Sequence, residues 1–185
     1  PAYFIKGIFH IFLYILNFYF ADLVISINYF YIPWISQFNS KVKMIRNGIN
    51  LKSSNIQLSL SHPCLITVGR MDERKGKLLV DIIKTLSNIA EKLPWHLYIL
   101  GSIAYEPLNS LVDNQRVFSI GVVPNVADYV KEAEVFLLAS SMENLSLAVT
   151  EAMALSKPVV CFDVGALGEV VSEETGALIP RFDVQ

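Results

Sequence analysis

From about residue 63 onward, short apolar runs alternate with amphipathic stretches, and few folds accommodate that alternation. CLITVG (64–69), WHLYILG (95–101), RVFSIG (116–121), VFLLAS (135–140) and PVVCFDVG (158–165) each predict a strand. KGKLLVDIIKTLSNIAEKL (75–93) predicts a helix with Leu78, Leu79, Ile82, Ile83, Leu86 and Ile89 on one face. EPLNSLVDN (106–114), NVADYVKEA (125–133) and SLAVTEAMALS (146–156) predict further helices, the first of them weaker. Continuous apolar strands separated by helices are what a parallel sheet covered on both faces requires, so the expected fold class is α/β with a parallel sheet. In such sheets ligands bind beyond the carboxyl ends of the strands, which directs attention to the loops after Gly69, Gly101, Gly121, Ser140 and Gly165.

The amino-terminal part reads differently. The first forty residues carry two charges, Lys6 and Asp22, yet hold thirteen of the twenty-one aromatic residues. The fifteen residues GIFHIFLYILNFYFA between those charges would form a helix roughly 22 Å long, short of the roughly 30 Å of a bilayer's hydrocarbon core. Neither a membrane span nor a secretory signal fits; the helix must lie under protein, in a membrane interface, or against something absent from this chain. DLVISI (22–27) then predicts a strand, YFYIPWISQF (29–38) a Pro-interrupted helix, and KVKMIRNGIN (41–50) a strand closing on an Asn47-Gly48 turn. The polar stretch 51–62 reads as a linker.

Charge and cysteine content exclude several functions. Fifteen Lys and Arg against seventeen Asp and Glu give a net charge of -2, without the basic excess of nucleic-acid binders. Cys64 and Cys161 show no CxxC spacing, and His10, His62 and His96 no metal-ligand spacing. The serines lack a GxSxG elbow, and no Asp-x-Asp pair is present to hold magnesium between carboxylates and phosphates.

Two loops could carry chemistry. In GRMDERKGK (69–77), Arg70 and Lys75 flank a turn that opens a helix, an arrangement suited to a phosphate or diphosphate. It is neither a Walker loop nor a dinucleotide fingerprint, and by itself a charged loop of this kind can equally be a solvated face. In SSMENLSLAVTEAMALSKPVV (140–160), Glu143 falls in the loop and Glu151 one to two turns inside the following helix. Carboxylates accept hydrogen bonds from vicinal diols of sugars and ribose; the plain alternative is an acidic first turn favoured by the helix dipole. Gly165 and Gly168 in VGALGEVV mark either a close backbone approach to a ligand or a simple turn.

Taken together, ADLVISI, MIRNGIN, VGRMDERKG, FSIGVV, ENLSLAVTEAMALSKPVV and DVGALGEVV resemble the retaining GT-B glycosyltransferases of family 4, over about residues 21–180. The resemblance implies a two-domain enzyme whose carboxyl-terminal half, an α/β domain with a Rossmann-like parallel sheet, binds a nucleotide sugar, UDP- or GDP-linked, and whose amino-terminal half binds a lipid-linked or polysaccharide acceptor. Residues 1–50 would be the last part of the acceptor domain, 51–62 the linker, and 63–185 the nucleotide-sugar-binding domain without its final crossing helix. Arg70 and Lys75 would grip the diphosphate beside Gly69, and Glu143 would contact the transferred sugar. Ser140, Asn144, Leu145, Ser146 and Leu147 would surround sugar and distal phosphate, Glu151 would accept the ribose diol, and Val122 and Val123 would meet the base. The family implies no metal and no cofactor; the expected location is cytoplasmic, at the inner face of the cytoplasmic membrane if the aromatic helix within residues 1–20 makes peripheral membrane contact, the alternative being a core helix. The sequence departs from the family pattern at Arg46, Ala139, Ser146 and Gly168, none of them a charged site residue. Two other readings stay open: a nucleotide-sugar epimerase or glycan phosphorylase of the same architecture, and a non-catalytic binding module.

Overall fold

The computed structural model describes residues 2–51, 54, 58–89 and 93–180. The chain divides into two compact units, residues 1–48 and 49–185. The first contains α1 (Ala2–Phe20), β1 (Val24–Ser26), α2 (Ile32–Ile35) and β2 (Val42–Met44), with β1 and β2 paired in parallel. The carbonyls at the end of α1 have no helical partner, and the Asn39 side-chain amide donates to those of Phe18 and Ala21, each at 2.7 Å. Trp34 meets Phe18 and Phe38 edge-on. Two expectations are corrected here. The segment 29–38 is not an interrupted helix: α2 is four residues long with Pro33 in its first turn, where the missing N–H costs nothing. The strand expected over 41–50 stops at Met44. Ile11, Phe12, Tyr14, Tyr29 and Phe30 are exposed, while no helix among the described residues is long and apolar enough to cross a membrane.

The second unit holds β3 (Cys64–Val68), α3 (Glu73–Ile89), β4 (His96–Leu100), α4 (Glu106–Asn109), β5 (Val117–Gly121), α5 (Val126–Glu132), β6 (Val135–Leu138), α6 (Leu147–Ala154), β7 (Val159–Phe162), a 3-10 turn (Leu167–Glu169) and β8 (Gly176–Ile179). All six strands are parallel, in the order β5-β4-β3-β6-β7-β8. The sheet is therefore the expected α/β, Rossmann-like one: counted from β3 its order is that of a doubly wound dinucleotide fold. Alternate strand residues enter two different cores, because successive side chains point to opposite faces. Ile66, Tyr98, Phe136 and Leu138 belong to one core, Leu97, Ile99 and Leu137 to the other, all of them buried. That explains why the strands read as unbroken apolar runs.

α3 buries Gly76, Leu79, Val80 and Ile83, a spacing of three and four that defines one helical face. The sequence pattern had the stripe one position off at its edges: Val80 is inside, and Ile89 is exposed. The helix expected over 106–114 is only α4, because the Asp113 carboxylate draws the chain into a turn. Its Oδ1 accepts the N–H groups of Gln115, Arg116 and Val117, each at 2.9 Å. β8 had no counterpart in the sequence reading. Of the linker, residues 52, 53 and 55–57 lie outside the described residues, as do 181–185 at the end of the proposed donor domain.

Candidate functional site

Strand order reverses between β3 and β6, since β3 leads through α3 to one side of the sheet and β6 leads through α6 to the other. A crevice at the carboxyl ends of the strands is expected at that point, and both loops singled out from sequence flank it. They touch. Lys75 Nζ lies 2.9 Å from Glu143 Oε1, and both side chains are mostly shielded, at 18% and 15% exposure. An ion pair shielded from water feels less screening than a surface pair, so it ties the two loops together.

Each loop is held in shape by its own backbone. Beyond β3, Gly69 N–H donates to Leu100 O, Met71 N–H to Ser102 O, and the N–H groups of Ala104 and Tyr105 to Met71 O. Gly69 and Gly101 both have positive φ, and a Cβ on Gly101 would stand 2.1 Å from the Gly69 carbonyl oxygen. This close approach is the physical reason for a glycine after each strand. A Cβ on Gly69 would meet Lys75 Nζ at 4.0 Å, so the lysine lies over the loop. Asp72 fixes the start of α3: its Oδ1 accepts the Lys75 N–H at 3.1 Å. Sequence reasoning missed Asp72 although an acidic residue just ahead of a helical pattern is a recognisable cap signal.

The hydrogen bond from the Lys75 N–H, with help from the Arg74 and Arg70 charges, holds the Asp72 carboxyl below its ordinary range. A lowered folded pKa contributes stability that is present above the unfolded value and lost as pH falls through the folded one. Asp72→Ala is therefore expected to lower the urea midpoint at neutral pH, with the difference from wild type closing on acidification. A midpoint difference independent of pH would exclude the charged cap.

Beyond β6, Ser140 is fully buried and its hydroxyl donates to Met142 O at 3.1 Å, so it shapes the loop from inside. Leu145 and Ser146 are also buried, whereas Asn144 and Leu147 are exposed. Glu143 and Asn144 rest on the turn after β7, where Ala166 N–H donates to Asn144 O at 3.0 Å. Gly165 sits beneath the Glu143 carbonyl with φ +59. Between a ligand-facing glycine and a turn glycine, the geometry makes Gly165 a turn residue that supports the site loop.

The remaining candidates are more spread out. Arg70 is exposed, and Val122 is 83% exposed beside the half-buried Val123. Glu151 lies in the second turn of α6 and, with Val68 at the end of β3, lines a cavity of about 280 Å³. Pro124, Val126, Ala127, Val130, Phe136, Ala148 and Leu155 line it too, as do Asn50 and Leu51. Arg70, Lys75 and Glu143 are not among the lining residues of this cavity. Val68, which lines it beside Glu151, directly precedes Gly69, over which the Lys75 ammonium lies. Among the described residues no group of three or more His, Cys, Asp or Glu is arranged to hold a metal ion. Burial pushes the thiols of Cys64 and Cys161 up to about 12 and about 11, which makes both inert as nucleophiles.

Comparison with known proteins agrees with this geometry. Residues 62–185 match the family described as glycosyl transferases group 1. The lipopolysaccharide core biosynthesis mannosyltransferase LpsB of Rhizobium meliloti is 37% identical over 73 residues, 38% of this chain and 21% of its own. The putative teichuronic acid biosynthesis glycosyltransferase TuaC of Bacillus subtilis is 30% identical over 125 residues, 66% of this chain and 30% of its own. The crystal structure of Anabaena HepE in complex with UDP superposes with a TM-score of 0.72 at 20% identity, over 92% of this chain and 53% of that one. The chain spans less than half the length of these curated relatives. With the matched segment covering the whole six-stranded sheet and both site loops, the chain belongs to the glycosyl transferases group 1 family.

Proposed function

We propose that the second unit is the donor-binding half of a retaining glycosyltransferase that moves a sugar from a UDP- or GDP-sugar to a lipid-linked or polysaccharide acceptor. The observation that carries this reading is the contact between Lys75 and Glu143, which unites a diphosphate-suited loop with a hydroxyl-suited loop at the strand-order reversal. HepE was solved with UDP on the same fold, and relatives are named for glycan assembly, which supports a nucleotide-sugar donor and a glycan acceptor.

In this reading Lys75, with Arg70, lies against the donor diphosphate and Glu143 against the sugar hydroxyls. The bond between anomeric carbon and diphosphate oxygen breaks, the acceptor oxygen bonds to the same face, and its proton passes to the departing phosphate oxygen. Negative charge grows on the leaving group, where a fixed cation stabilises the transition state more than the ground state. Arg70 and Lys75 supply that charge, so the reading needs neither metal nor cofactor. Glu151, in the cavity next to Val68, accepts the ribose diol.

Isothermal titration with UDP and GDP tests it. One of the two should bind, and Glu151→Ala should weaken that binding by about tenfold, as for loss of hydrogen bonds to a charged acceptor. No binding of either nucleotide, or binding indifferent to Glu151→Ala, would refute the donor site.

A further inference from the structure

We infer that Tyr105, in the loop after β4, is a positioning residue for Lys75: its side chain fills the space beside Gly76 and so fixes the turn of α3 from which the lysine projects. The inference rests on the donor-site reading above and adds a residue from outside the two site loops.

Gly76 follows Lys75 directly in α3, where glycine costs a helix about 1 kcal/mol relative to alanine. Its backbone does not call for glycine, since the glycines with positive φ are Gly69, Gly101, Gly121 and Gly165. Space does. A Cβ at Gly76 would stand 2.7 Å from Tyr105 Cβ, 2.8 Å from Cδ1 and 3.0 Å from Cγ. Turning the tyrosine about χ1 would move Cγ and Cδ1 but leave its Cβ in place, so the clash cannot be relieved by a rotamer change alone. Tyr105 is half-buried against the core that holds Leu79, Ile83 and Leu108.

The contact is held from both sides. Tyr105 N–H donates to Met71 O at 3.1 Å, and Tyr105 O accepts the N–H groups of Leu108 and Asn109 in α4, at 3.0 and 3.2 Å. Met71 and Leu108 are both buried, which anchors the tyrosine's backbone on the core. On the other side, Gly76 N–H donates to Asp72 O at 2.7 Å and Lys75 N–H to Asp72 Oδ1 at 3.1 Å. Successive helix residues are about 100° apart, so a face fixed at Gly76 also fixes the direction in which Lys75 leaves α3. In that direction Nζ reaches Glu143 Oε1 at 2.9 Å. An added methyl at Gly76 therefore lifts or turns the start of α3 and carries the ammonium away, and a charge-assisted bond to phosphate weakens with distance and angle.

Calorimetric titration of UDP and GDP against the 185-residue chain tests this, with thermal unfolding recorded for every variant. Gly76→Ala is expected to weaken binding of whichever nucleotide the wild type takes by about tenfold. Tyr105→Gly should weaken it by about threefold, with recovery in Tyr105→Phe, which keeps every atom of the contact. In the Tyr105→Gly background, where Cβ, Cγ and Cδ1 are gone, Gly76→Ala should cost less than about twofold. A purely structural role would lower the unfolding temperature and leave one further readout unmoved, the coupling to Lys75. In the Lys75→Ala background Gly76→Ala should change affinity by less than about twofold, because the group that it displaces is already gone. Full additivity of Gly76→Ala with Lys75→Ala, or an equal loss with and without the tyrosine, overturns the positioning claim. If Gly76→Ala fails to fold, Tyr105→Gly decides: affinity equal to wild type in that folded variant overturns the claim, and loss restored by Tyr105→Phe supports it. A wild-type chain that binds neither UDP nor GDP overturns the donor-site reading and this inference with it. Wild-type binding with indifferent variants removes only the present inference.

Discussion

Lys75→Ala is expected to weaken UDP or GDP binding by about tenfold to a hundredfold, and Glu143→Gln to strengthen binding of the same free nucleotide by about threefold. The two partners of one ion pair should thus shift affinity in opposite directions. Glu143 engages the Lys75 ammonium at 2.9 Å. A diphosphate that enters the crevice competes with that carboxylate for the ammonium and meets its negative charge at close range, in surroundings that shield both side chains. Removing the ammonium removes a charge-assisted bond to phosphate, the larger loss. Removing the carboxylate charge releases the ammonium and relieves the repulsion, a gain limited by the cost of leaving Lys75 without its counter-ion in the empty protein. Nucleotide sugars should not show that gain in Glu143→Gln, because Glu143 is the proposed acceptor of the sugar hydroxyls. Calorimetry with UDP, GDP and the corresponding glucose conjugates distinguishes the cases. Equal weakening of free nucleotide by both substitutions would mean that the pair is a structural tie and that phosphate sits elsewhere.

Much of this arrangement is legible in sequence because the sheet is covered on both faces. Strands such as Cys64–Val68 and Val135–Leu138 must be apolar throughout, and their ends therefore locate the Gly69 and Ser140 loops. That Lys75 and Glu143 meet follows only from strand order, since 68 residues separate them and neither loop refers to the other. What sequence hides is set by single side-chain contacts. The end of α4 depends on three N–H groups choosing the Asp113 carboxylate over helical carbonyls. β8 is four residues of small and aliphatic type, recruited by pairing with β7 rather than by its own periodicity. The hydrogen bond from the Ser54 hydroxyl to the Asp128 carboxylate spans 74 residues and leaves no local pattern at all.

Gly165 and Gly168 show the same limit most sharply, for they sit three residues apart in one motif, yet alanine is expected to be costly at the first and nearly neutral at the second. At Gly165 the backbone has φ +59, a left-handed conformation that costs any residue with a Cβ. The added Cβ would also stand 1.7 Å from Glu143 O and 2.8 Å from its carbonyl carbon, both backbone atoms that cannot rotate aside. The loop 143–144 has to lift, which breaks the 3.0 Å bond from Ala166 N–H to Asn144 O and draws Glu143 off Lys75. Gly165→Ala is therefore expected to destabilise the second unit by at least about 2 kcal/mol. Altered UDP affinity should accompany that loss, since the site loop itself moves. At Gly168 a Cβ would meet Asp163 Oδ1 at 3.6 Å and Leu178 Cδ1 at 3.7 Å, ordinary contacts at an exposed position. Gly168→Ala should stay within about 0.5 kcal/mol of wild type and leave nucleotide binding unchanged. Urea unfolding and UDP titration of the pair decide the matter. If Gly165→Ala matches wild type in both, the loop carrying Glu143 does not rest on this turn, and the support assigned to the β7 end of the sheet is wrong.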